Sequence, residues 1–127
     1  MLNRIFSSGS LPALEAMLTF ASSRQRVIAG NIANVDTAGY KTLDLSEAEF
    51  RKSMARAFAA QKESPIGKWT AGAAVDAGSV KPGGNNVDLE IEMAKMVKNS
   101  ALHSTVATLL ANQFTLLREA IAGHVIS

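Results

Sequence analysis

Apolar residues recur at helical spacing at both ends of the chain, and the pattern breaks between them. Near the N-terminus Leu14, Met17, Leu18, Ala21, Ile28, Ile32 and Val35 fall on one stripe, with Leu14, Ala21, Ile28 and Val35 seven residues apart. That stripe predicts a helix from about Leu11 to Val35 with a seam for a second helix. Ser10 is placed to cap its first turn, Pro12 is tolerated there, and Glu15 lies near the positive end of the helix dipole. Gly30 lowers helix propensity by roughly 1 kcal/mol relative to alanine. It reads either as a point of close approach by a neighbouring backbone or as a weak spot. The run Asp36-Thr37-Ala38-Gly39 then brings in residues that bond their own backbone or accept positive φ, so the helix ends here.

The second pattern runs through Met96, Ser100, His103, Ala107, Leu110, Phe114, Leu117 and Ile121, alternating steps of four and three residues. It predicts a coiled-coil seam on a helix from about Val87 to Ile121 or Ala122, well packed in its second half and polar at Ser100 and His103. Asn86 or Asp88 can cap the start, Glu90 and Glu92 favour it electrostatically, and Gly123 suits the exit. Alternation through Val87, Leu89, Ile91 and Met93 leaves open a short strand before the helix.

Between these ends the chain is less regular. Leu43, Leu45 and Phe50 can anchor a short packed segment, and Phe50 to Lys62 has a helical pattern through Met54 and Phe58. From Ser64 to Asn86 small and turn-forming residues dominate, ending in Pro82-Gly83-Gly84-Asn85-Asn86, which reads as a long loop, disordered or folded as a small β excursion. Trp69 stands in it as a local pin or as a contact with a neighbouring subunit. The expected fold is mainly α and elongated, with the N-terminal and C-terminal helices packed as a coiled-coil-like pair. It divides into 1–41, 42–86 and 87–127, the two ends forming one structural domain.

Composition sharpens this picture. In 127 residues, 47% are hydrophobic but only 6% aromatic, with one Trp and one Tyr. Large core-filling side chains are therefore scarce, and the apolar stripes alone do not offset the entropy of ordering such long helices. The isolated chain is expected to be partly unfolded and completed by partners. The net charge of +2 is spread among interleaved acids and bases without stacking aromatics, which argues against nucleic-acid binding. No cysteine is present, so disulfides and thiolate metal sites are excluded. No apolar run is long enough to span a membrane, and Pro12 and Glu15 interrupt the one candidate signal-peptide core.

Candidate chemistry is sparse. His103 reads as a seam residue with a polar partner, since no carboxylate lies at helical ligand spacing from it. Asp88, Glu90 and Glu92 read as dipole-compensating residues. Neither a nucleophile triad nor a phosphate-binding glycine loop is visible, so no catalytic, cofactor or metal site is expected. Asn31 and Asn34 either satisfy backbone groups at the helix end or contact another subunit. Tyr40 either covers the turn or packs on an adjacent protomer.

Ala29 to Lys41, AGNIANVDTAGYK, closely resembles the N-terminal signature of the bacterial flagellar axial family, the rod, hook and hook-junction proteins. Its motif positions here are Asn31, Ala33, Asn34, Thr37, Gly39 and Tyr40. The lead-in from Leu14 to Arg26, the block Gly84-Asn85-Asn86-Val87-Asp88-Leu89-Glu90, and the ending Phe114 to Gly123 are similar to the short rod members. One departure is Ala38, where the family usually carries proline, which leaves φ of the turn unset. The resemblance implies terminal helices packed into an inner layer, with copies stacking helically into the proximal rod, part of the drive shaft crossing the periplasm. It also implies export through the flagellar type III machinery without a cleaved signal peptide. Implied partners are self, other rod proteins, and adaptor, MS-ring and export-gate components at the rod base. A helical adaptor or needle-type subunit of another type III secretion apparatus is the alternative. It offers no reason for the asparagine-rich helix exit.

Overall fold

The computed structural model describes residues 10–59 and 69–126, with side chains described over 11–59 and 69–123. The expected cap by the Ser10 side chain, the expected helix end at Lys62 and the first part of the stretch from Ser64 lie outside the described residues. Elements follow in the order α1 (Ser10–Ala33), β1 (Leu43–Asp44), α2 (Glu47–Ala59), β2 (Gly72–Ala73) and α3 (Leu89–Ile126). The fold is mainly α. Helices α1 and α3 pack antiparallel, as successive contacts show: Asn31 reaches Glu92, Gln25 reaches Ser100, and Ser22 reaches His103.

Helix α1 stops at Ala33, two residues before the expected end, because Asn34 and Val35 turn back onto it. The Asn34 amide donates to Gly30 and Asn31 carbonyls, and the Val35 amide to Ile32. Val35 therefore sits in the exit turn and not on the helix. Gly30 admits no neighbouring backbone within this chain, since an added Cβ would meet only the Tyr40 hydroxyl at 3.9 Å, an ordinary contact.

Helix α3 begins at Leu89, with Asp88 as its N-cap: its Oδ1 accepts from the amides of Glu90 at 3.0 Å and Ile91 at 3.2 Å. No strand precedes it. At the other end the helix continues through Gly123 to Ile126, so Gly123 is not the stop that its residue type suggested. With 38 residues against the 24 of α1, α3 is about 57 Å long against about 36 Å.

The middle region packs onto the helix pair as a compact annex. β1 and β2 pair antiparallel with Leu43 opposite Ala73 and Asp44 opposite Gly72, so the stretch from Ser64 to Asn86 supplies one strand of a small β pairing whose other strand precedes it. Helix α2 starts at Glu47, earlier than expected, because Ser46 caps it through the Glu49 amide at 3.2 Å. Phe50 stacks on Phe20 at 4.4 Å, and Trp69 meets both rings edge-on at 5.4 and 5.3 Å. Trp69 is thus a local pin, and Phe20 joins α1 to the annex through a face that the stripe of Leu14 and Ile28 did not mark.

Candidate functional site

Two structural features stand out: a polar clasp where α1, the exit turn, the annex and the start of α3 meet, and a long helix whose apolar residues are largely uncovered.

The clasp is centred on Asn31. Being buried, its amide must be satisfied on both sides, and it is. Its Nδ2 donates to the Leu43 carbonyl at 2.7 Å and to Glu92 Oε2 at 2.8 Å. Its Oδ1 accepts from the Tyr40 hydroxyl at 3.0 Å and the Leu43 amide at 3.1 Å. One side chain therefore ties α1 to the turn, to β1 and to α3. Asn34 serves the helix end, with Nδ2 donating to the Gly30 carbonyl at 2.8 Å and Oδ1 accepting from the Thr37 hydroxyl. Asn34 thus satisfies the helix end as expected, whereas Asn31 bonds Leu43 and Glu92 far along the chain, and Tyr40 lies over the turn on Asn31.

Glu92 is 1% exposed and carries the clasp into an ion network. Lys95 Nζ lies 3.4 Å from Glu92 Oε1, 3.3 Å from Asp44 Oδ2 and 2.6 Å from Asp76 Oδ1. Arg24 grips Asp44 with two parallel hydrogen bonds of 2.9 Å and also reaches Glu47. Burial pushes the Asp44 carboxyl up, but the hydrogen bond and charge of Arg24, the charge of Lys95 and the Leu45 amide hold it below the ordinary carboxylate value. Burial also opposes the Lys95 ammonium. Its hydrogen bond to Asp76 and the charges of Asp44, Glu92 and Asp76 nevertheless keep its pKa raised. Burial and the Glu92 charge raise the Tyr40 phenol.

The second sequence motif closes the clasp from the other side. Asn85 donates to the carbonyls of Asn34 at 2.9 Å and Thr37 at 2.8 Å, while its Oδ1 accepts from the Val87 amide. Asn86 Oδ1 takes the Thr42 amide at 2.6 Å, and the Gly39 amide donates to the Gly83 carbonyl at 2.8 Å. Gly84, at φ 87°, lies so close that an added Cβ would sit 3.4 Å from the Gly39 Cα. Lys41 Nζ also reaches the Gly84 carbonyl. The two motif blocks are therefore joined directly, Asn85 to Asn34 and Thr37 and the Asn86 amide to the Tyr40 carbonyl. Ala33 and Glu90 are exposed beside them. Sequence reading found both blocks but missed Arg24, Asp44 and Lys95, which carry the ions. The acid and base spacing alone gave no sign that they converge.

Along α1 the line in contact shares Ala21 and Ile28 with the expected stripe, and along α3 it lies beside the expected seam. Leu11, Ala16, Phe20, Ala21 and Ile28 are buried on α1, while Leu14, Met17, Leu18 and Ile32 are half-buried. On α3 the buried line is Glu92, Lys95, Asn99 and Val106, with Val87 just before it. Met96, Ala107, Leu110 and Leu117 are half-buried beside that line, and Phe114 and Ile121 remain 45% and 48% exposed in the single chain. Leu102, Leu109 and Leu116, seven residues apart, flank the line on its other side and are exposed too. Between Lys98 and Arg118 the helix has no acidic or basic residue other than His103.

Between the two helices, Ser22, Gln25, Arg26, Ser100, His103 and Ser104 line an open groove of about 460 Å³. His103 Nε2 lies 3.1 Å from Ser22 Oγ, but the lining holds no carboxylate to orient the imidazole for nucleophilic chemistry. Among the described residues no cluster of three or more His, Cys, Asp or Glu has metal-site geometry. None of the described helices is long and apolar enough to cross a membrane.

Comparison with known proteins agrees with this arrangement. Residues 14–41, which are α1 and its exit turn, match the family described as flagella basal body rod protein. Flagellar basal body rod protein FlgB of Bacillus subtilis (strain 168) is 27% identical over 124 residues, covering 91% of this chain and 95% of that protein. FlgB of Aeromonas hydrophila is also 27% identical, over 116 residues covering 84% and 88%. Both relatives align over most of this chain, so it is similar to flagellar basal body rod proteins along most of its length and not only in the first helix and its turn.

Proposed function

We propose that this chain polymerises helically through α1 and α3 into the proximal rod, the part of the drive shaft that crosses the periplasm. The observation that carries this reading is the state of α3. Apolar residues surround it, yet α1 covers one side only, leaving Val97 69% and Leu116 58% exposed. A helix that is apolar all round is stable when it is enclosed, and here other chains must do the enclosing. A heterologous interface that does not close gives a helical filament. The partners in this reading are further copies, other rod proteins, and the adaptor, MS-ring and export-gate components at the rod base. Phe114, Ile121, Leu109 and Leu116 contribute the assembly contacts, and Asn31, Tyr40, Asn85 and Asn86 hold the joint that fixes the helices for them. Both ends form the one structural domain, with 42–86 as its annex. Passage through the type III export machinery without a cleaved signal peptide suits a chain whose longest helix is completed by neighbours.

The test is substitution at an exposed apolar position. Leu109→Asp and Leu116→Asp bury no charge within the single chain, so expression and the helix pair should survive. In the rod the same charges would be desolvated. Loss of basal-body assembly and of swimming is the expected outcome, and normal motility in both variants would refute the reading.

A further inference from the structure

The polar residues between α1 and α3 sit where a helix pair ordinarily buries apolar ones. Asn99 donates to the Ala21 carbonyl at 2.8 Å and to Gln25 Oε1 at 2.7 Å, and Gln25 donates to Ser100 Oγ at 3.0 Å. Ser22 faces His103, and Asn31 faces Glu92. This seam is poorly suited to maximal stability, since among the described residues Asn99 Oδ1 is buried without a hydrogen-bond partner.

We infer that these polar pairs are a register lock for the α1·α3 pair. Sliding α3 by seven residues keeps the same side of it toward α1. In the direction that takes Asn99 to Asn31, Gln25 would meet Val106 and Ala107, and Ser22 would meet Leu110. That slipped pairing puts Leu102 in the place of Lys95 and Val106 in the place of Asn99, and carries the exposed Phe114 toward α1, so apolar burial alone does not hold the observed register. It strands Gln25 and Ser22, withdraws Glu92 from Asn31 and withdraws Lys95 from Asp44 and Asp76. Buried polar groups left unpaired in this way set register at the expense of stability. The clasp bonds of Asn85 and Asn86 resist a slide in either direction, and the polar pairs extend that hold along the helices beyond the clasp. The lock fixes the height at which each copy carries its uncovered apolar lines, and it holds whether or not those lines mediate polymerisation.

Disulfide trapping in the full chain reads the register directly. Ser22→Cys with His103→Cys reports the observed register, and Ser22→Cys with Leu110→Cys reports the slipped one. In the otherwise unchanged chain only the first pair should bridge within a molecule. Adding Gln25→Leu with Asn99→Leu removes both polar partners together, and bridging by the second pair should rise about tenfold or more. Asn99→Leu alone should give a smaller rise, because Gln25 keeps Ser100. Bridging confined to the first pair in all three backgrounds would overturn the inference, as would equal bridging by both pairs in the unchanged chain. Loss of helix by circular dichroism in both leucine backgrounds would also overturn it, since the polar pairs would then supply stability and not register.

Discussion

Asn31 shows how one side chain carries the joint. Four hydrogen bonds converge on it, and one acceptor is a carboxylate almost wholly removed from water. Asn31→Asp keeps the shape but loses the donor and sets a second carboxylate against Glu92. We expect a loss on the order of 3 kcal/mol, read as a shift of the denaturation midpoint. The surrounding ions set the pH range of the joint. Asp44, with its lowered pKa, contributes stability that is full above the ordinary carboxylate pKa and is lost as pH falls through the folded value. Lys95 and Tyr40, with raised values, contribute stability that is full below their ordinary pKa values and is lost as pH rises through the folded ones. Thermal melts should therefore show a plateau between roughly pH 4 and 10 with losses on both sides. Lys95→Met should blunt both flanks.

Among the elements, the helices and their turn were legible in the sequence, and so was part of the α1 face at Ala21 and Ile28, while the buried line of α3 was not. Turn chemistry at Asp36 to Gly39 and the cap at Asp88 are local, so residue type announces them. The register of α3 on α1 depends on Glu92, Lys95 and Asn99, whose burial is permitted by partners far along the chain. A hydrophobic pattern assigns such residues to solvent. It follows instead the line of large side chains through Phe114 and Ile121, which this single chain leaves exposed. The annex was hidden for a related reason: Phe20, Phe50 and Trp69 come from three separate segments, and only the fold brings their rings together. Stability should be uneven along α3 as a result. Hydrogen exchange of the isolated chain should show slow amides from Ile91 to Asn99, beside the clasp, and fast ones from Ala111 to Ala122. Uniform slow exchange along the helix would contradict this.

At the scale of the whole molecule, the protein combines a rigid polar joint with a long apolar helix that it does not enclose itself. The joint holds α1, the annex and the first turns of α3 in one geometry, and the remainder of α3 extends with large apolar side chains exposed. Similarity to flagellar basal body rod proteins gives that surface a setting. The central claim is that neighbouring subunits cover the apolar residues that this chain leaves bare. Electron cryomicroscopy of purified basal bodies, with this chain traced, tests it most directly. Leu109, Phe114, Leu116 and Ile121 should lie buried against other subunits, with Asn31 still bonded to Glu92 of its own chain. A traced subunit with those four side chains facing solvent would contradict the account.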